Sequence, residues 1–107
     1  MTRRDILAVL VNLEDRALVE RTDTVLTAAG VDQAIARDSA GSSDRSAIMR
    51  GVLRALVARE HGASAARAPI HTDAKGKPLF DVGPPFSLSY ARGLGLIAVA
   101  TADASIA

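Results

Sequence analysis

At 107 residues, with 49% hydrophobic and 23% charged side chains, the chain has the composition of one globular domain, long enough for a core and too short for two. A net charge of +1 creates no field that gathers polyanions, and 3% aromatics leave few platforms for stacking bases, so no nucleic-acid partner is expected. The lack of cysteine excludes disulfides, thiolate metal sites and thiol nucleophiles, and fits a reducing cytoplasm.

No targeting signal is read at the N-terminus. Thr2-Arg3-Arg4-Asp5 precedes a short apolar run broken at Asn12, and no small-residue cleavage site follows. No apolar stretch approaches the roughly 20 residues that span a bilayer, so a cytoplasmic chain without a membrane partner is expected. Residues 5 to 13, rich in branched side chains, read as a mostly buried strand. Residues 15 to 29 read as a helix with Leu18, Val19, Val25, Leu26 and Ala29 on its apolar side and Gly30 as its stop. Asp32 to Arg37 adds a further helical turn, and Ser39 to Ser43 reads as a polar loop whose Ser42 or Ser43, or the following Asp44, caps the next helix.

That helix, about residues 44 to 61, has the clearest pattern in the chain. Ile48, Val52 and Leu56, with Met49, Leu53 and Val57, recur at spacings of four and predict an apolar face packed on a sheet. Arg50 and Arg54 are expected together on the solvated side, and Arg45 and Ser46 occupy the first turn, where amides are free to meet a phosphate. Gly62 to Ala68 reads as a small-residue loop. His61 and His71 flank it without a carboxylate pattern, so they are read as solvated or capping and no metal site is assigned.

Pro69 to Asp73 and Leu79 to Val82 read as short strands around a Lys75-Gly76-Lys77 turn, and Gly83-Pro84-Pro85 breaks the second of them. Phe86 to Ala91 and Leu94 to Ala102 form a hairpin through Arg92-Gly93, and Leu94 to Ala100, apolar on both faces, belongs mid-sheet with a helix over one side. The fold class is therefore α+β: one domain over residues 1–107, a mixed or antiparallel sheet packed by about two helices.

Two pieces of this pattern bear on ligands. Gly76 supplies a positive φ and Pro78 holds Lys77 extended, which fixes the lysine's backbone as a phosphate contact requires; a solvated hairpin carries the same residues. On Phe86-Ser87-Leu88-Ser89-Tyr90 the period of two turns Ser87 and Ser89 to one face, as a pair of ligand hydroxyls or as a wet face.

Taken in order, Asp44-Arg45-Ser46, Arg50-Gly51-Val52-Leu53-Arg54, Gly76-Lys77-Pro78, Phe86 to Tyr90 and Ile97 to Ala100 resemble the N-terminal half of the surfactin-synthetase-type 4'-phosphopantetheinyl transferases. The likeness covers residues 40 to 107 and, more loosely, 5 to 39. It implies one half of a pseudo-dimeric α/β enzyme with coenzyme A in the cleft between halves and magnesium on its pyrophosphate. A carrier-protein serine attacks the β-phosphate and 3',5'-adenosine bisphosphate leaves. On this chain the resemblance sets Lys77 against the adenine and its phosphates, Ser89 on the 3'-phosphate, and Arg45 and Ser46 closing the same end.

Tyr90 stands where the family has a histidine and supplies a hydrogen bond without a charge. The family's Gly-Val-Asp-x-Glu segment has no counterpart before Ala107, and Asp103 falls too early to replace its aspartate. The resemblance therefore implies that catalytic and magnesium-binding acids come from a partner half, in a homodimer or heterodimer that serves an acyl or peptidyl carrier protein. Two alternatives stay open: an inactive relative that acts as a binding or scaffold module, and a small α+β domain of unrelated role.

Overall fold

Described residues are 6–31, 44–81 and 83–101 of a computed structural model, with the side chains of Val19, Asp44 and Ser46 left out. The expected turn over Asp32 to Arg37, the loop Ser39 to Ser43, Val82 and the tail that holds Asp103 lie outside them. Along the chain run β1 (Ile6–Asn12), α1 (Arg16–Ala28), α2 (Asp44–His61), a single turn α3 (Ala63–Ala66), β2 (Ile70–Thr72), β3 (Pro78–Phe80), β4 (Phe86–Ala91) and β5 (Leu94–Ala100).

The strand that is apolar on both faces takes the centre. β5 pairs antiparallel with β1 on one side and β4 on the other, while β2 and β3 form a separate antiparallel hairpin. The architecture is a single α+β domain, with two antiparallel sheets and three helices among the described residues. β4 turns into β5 through Arg92 and Gly93, with φ of 48° and 80°. Two consecutive positive φ values make the tight two-residue turn whose twist matches the strands it joins.

Helix α2 lies over one face of this sheet. Met49, Leu53 and Val57 are fully buried against it, with Ile97, Val99 and Val11 among the buried residues of the same core. The helix is covered on a second side too, where Gly51 faces the Thr22 methyl of α1. That corrects the expectation for Arg54. Rather than sharing a solvated face with Arg50, Arg54 is 0% exposed: its Nη1 donates to the carbonyls of Ala66 and Ala68, both at 2.7 Å. The guanidinium also stands 5.7 Å from the Phe80 ring centroid, and Phe80 meets Phe86 edge-on at 5.1 Å. The expected loop 62 to 68 contains the turn α3, because alanines favour helix and Arg54 ties down the carbonyls at its end.

α1 keeps its expected limits. Asp15 accepts from Ala17 N–H as the N-cap, and the C-terminus closes with Gly30 N–H to Thr27 O at 3.0 Å and Val31 N–H to Leu26 O at 2.8 Å. With Gly30 at φ 78° this is a Schellman closure, and Val31 is buried with Leu26 beneath it. Val25, expected on the apolar side, stands at its rim and is 46% exposed.

The Asp15 carboxylate also accepts from Arg21 at 3.0 Å, and that bond, followed by the one from Ala17, holds its pKa below the usual carboxylate value. A lowered folded-state pKa means that the cap stabilises α1 above the unfolded-state value of 3.8 and is lost as pH falls through the folded-state one. Carboxyl titration by NMR is expected to place Asp15 below 3.8, and Arg21→Ala to move it upward. A titration unchanged in that variant would refute the pairing.

β1 departs from expectation as well. Only Val11 is buried; Ile6 and Leu10 are 66% and 68% exposed. As an edge strand it hides one face beneath the helix layer, and its other face, equally apolar, has no cover among the described residues.

Candidate ligand-binding site

Of the five residues singled out by sequence, Lys77 stands in a turn closed by several hydrogen bonds. Asp73 N–H donates to Lys77 O at 2.9 Å, and Gly76, at φ 82°, donates to Asp73 O at 3.0 Å. The Asp73 carboxylate accepts from the N–H groups of Lys75 and Lys77, each at 2.9 Å. An aspartate opening a tight turn commonly satisfies the amides two and more residues on in this way. The result is a stiff tip that presents two exposed lysines, with the one carboxylate already engaged by backbone. Pro78 then opens β3, where a missing N–H costs least.

At its base the hairpin is fastened by Asp81 N–H to Pro69 O at 2.9 Å, with His71 Nδ1 and Asp81 Oδ1 3.7 Å apart on its exposed side. His61 is structural: Nε2 donates to the Ala100 carbonyl at 2.6 Å and so ties the end of α2 to the end of β5. Among the described residues no group of three His, Cys, Asp or Glu could hold a metal ion.

Ser89 and Tyr90 project to opposite faces of β4. Ser89 pairs with Leu96 and shares the open face with Ser87, whereas Tyr90 pairs with Gly95 on the helix side and is 45% exposed. Met49 rests on Gly95, and Arg45 lies one helical turn before Met49, exposed. Arg45 and Tyr90 therefore stand at one end of the layer formed by α2 and the sheet. The Lys77 hairpin is fastened at the other end of β4, where Phe80 meets Phe86. Ser46 sits in the first turn of α2, with its side chain outside the described set.

The five residues thus occupy three places: the N-terminal end of α2 with Tyr90, the β2–β3 tip, and the open sheet face. No hydrogen bond or ion pair among the described residues links Arg45, Lys77, Ser89 and Tyr90 to one another. Sequence reading missed one feature that the structure makes prominent, Arg54 in the core. Small residues on α2, Ala47, Gly51, Ala55 and Ala58, are the available signal for it, since they mark a helix approached from more than one side. Among the described residues no helix is long and apolar enough to cross a membrane. No protein-family model, curated protein or solved structure matches this chain.

Proposed function

We propose that this chain is a half-protein of the 4'-phosphopantetheinyl transferase kind. With a complementary half over its open sheet face, it binds coenzyme A in the cytoplasm for transfer of phosphopantetheine to a serine of an acyl or peptidyl carrier protein. The observation that carries the reading is the one-sided sheet. Its central strand is apolar on both faces, one face lies under α2, and the other exposes Leu94 and Leu96 at 42% and 43%. An apolar face of that kind on a small domain marks an interaction surface.

In the assembled molecule, Lys77 on its stiff tip meets the coenzyme A phosphates, and Ser89 donates its hydroxyl to the 3'-phosphate. Arg45 and Ser46, with Tyr90, close the same end. Fixed cations and donors suit a multiply charged ligand, because they need no reorganisation when it arrives. The reading leaves the acidic ligands of magnesium to the complementary half.

A second reading, an inactive relative that serves as a protein-binding or scaffold module, is favoured by the separation of the five residues into three places. Calorimetric titration of the purified chain with coenzyme A, dephospho-coenzyme A and magnesium decides between them. The first reading expects affinity to fall about ten- to hundredfold without the 3'-phosphate, the range of one charged hydrogen bond, and by a similar factor in Lys77→Ala. No heat with either ligand would leave the second.

A further inference from the structure

The β2–β3 hairpin stands apart from the rest of the fold. It is a two-stranded sheet of its own and shares no ladder with the three strands of the main one. Residues 71 to 77 are all exposed, so the turn that carries Lys75 and Lys77 is not held in place by burial. A lone two-stranded hairpin is marginal in water and keeps its shape only where it is docked. The apolar residues it sets against the core are Ile70, which is partly buried, and Phe80, which is buried.

Both feet of this hairpin meet one side chain. On the way in, Arg54 Nη1 donates to the carbonyls of Ala66 and Ala68 at 2.7 Å, and Ala68 stands two residues before β2. On the way out, Phe80, the last residue of β3, has the same guanidinium 5.7 Å from its ring centroid. Asp81 N–H donates to Pro69 O at 2.9 Å and ties the feet to each other, so entry and exit move together. Arg54 itself belongs to the body, on α2 between Leu53 and Val57, both fully buried.

These ties divide at the edge of the body. The Ala66 carbonyl ends α3, which packs on α2, and its bond to Arg54 stays behind if the hairpin leaves. The Ala68 bond and the Phe80 contact cross the boundary and are lost with it. A hydrogen bond from a charged donor and a desolvated cation on a ring are each stronger than their neutral or exposed counterparts, so most of the hold passes through this one guanidinium.

We propose that the β2–β3 hairpin is an arm latched to the body by Arg54, and that it undocks as one unit while the main sheet and its helices stay folded. Docked, it sets Lys75 and Lys77 at a fixed place beside the sheet. Undocked, it loses its ladder and releases them. A ligand that spans the tip lysines and a group on the body binds the docked state alone, and its apparent affinity is scaled by the fraction of chains that are docked. The choice of an anion as that ligand rests on the reading above, whereas the latch does not.

Native-state hydrogen exchange of the whole chain, followed amide by amide by NMR, tests it. Two amides mark the ends of the arm: Asp73, which donates to Lys77 O at 2.9 Å beside the tip, and Asp81 at the base. Ile97 and Val99, both buried in β5, report on the body. In the unaltered chain Asp73 and Asp81 should share one protection factor, at least about tenfold below that of Ile97 and Val99, because partial opening costs less than unfolding. Protection at Asp81 equal to that in β5 would overturn the proposal, since the arm would then leave only when everything unfolds. High protection at Asp81 with low protection at Asp73 would overturn it too, as the pattern of a fraying tip.

Arg54→Met keeps the apolar stem and removes the donors. It should lower the protection of Asp73 and Asp81 about tenfold or more, the value of one hydrogen bond from a charged donor. Ile97 and Val99 should lose at least as much, because the docked state that is weakened is the starting point of both openings. If β5 loses protection while the hairpin amides keep theirs, Arg54 serves the body alone and the latch falls. Phe80→Leu takes the ring from the other foot and should act alike; joined to Arg54→Met, it should cost the hairpin less than the product of the two effects, as touching partners do. Effects that simply multiply would mean two separate ties and overturn the single latch. Exchange is read without ligand, so a chain that binds no coenzyme A still tests the latch.

Discussion

Arg54→Ala is expected to lower the unfolding free energy by about 3–5 kcal/mol, a large part of the stability of a domain this size. The substitution takes the Nη1 donor from two carbonyls at once, Ala66 O and Ala68 O. A buried carbonyl without a donor costs about 1–3 kcal/mol, and the void left by the stem adds to it. The Phe80 ring also loses the cation over its face. Thermal unfolding should shift down by about 15–25 °C, at the usual several degrees per kcal/mol for a small domain. Arg54→Met, which keeps an apolar stem and removes only the donors, is expected to lose about half as much. A methionine variant as stable as the parent would mean that water reaches those carbonyls and that the arginine does not hold them.

Arg54 also shows where sequence reading stopped. The α2 pattern put Met49, Leu53 and Val57 on one apolar face, and all three are buried. A pattern of that kind says which side of a helix is apolar, and it is silent on whether another element covers the polar side. The turn α3 with the chain just after it, and the Phe80 ring, supply that cover, and these tertiary contacts set the fate of Arg54. The same limit applied in reverse to β1. Its residues are apolar on both faces, which reads as burial, yet the second face stays open and Leu10 is exposed.

Local chemistry was far more legible. The helix stop at Gly30, the turns at Gly76 and Arg92-Gly93 and the central place of Leu94 to Ala100 all depend on near neighbours in sequence. Those neighbours are visible in the string. The candidate site is the opposite case. Alternation along β4 already separated Ser89 from Tyr90, but the distance of the Lys77 tip from either depends on how the β2–β3 hairpin docks through Phe80, Phe86 and Arg54.

Gly95→Val should cost about 3 kcal/mol, at the upper end of overpacking penalties. A Cβ built on Gly95 would stand 2.6 Å from Met49 Cε and closer still to Sδ, with Met49 itself wholly buried. Glycine inside a strand is normally a weakness that a side chain would relieve. Here the missing Cβ is what lets α2 approach β5. A methionine end can bend away, so Gly95→Ala is expected to cost only about 1 kcal/mol, whereas the two γ-methyls of valine have no such escape. If Met49 occupies that space, Met49→Ala together with Gly95→Val should be less harmful than the sum of the single changes by at least about 1 kcal/mol, a coupling of the size seen between touching residues. The chain has one tyrosine and no tryptophan, so its intrinsic emission comes from Tyr90, the β4 partner of Gly95. Denaturation followed by that emission and by circular dichroism reads the local and the global change together. Strict additivity in the double variant would show that Met49 does not fill the space over Gly95, and the account of how α2 seats on the sheet would fall with it.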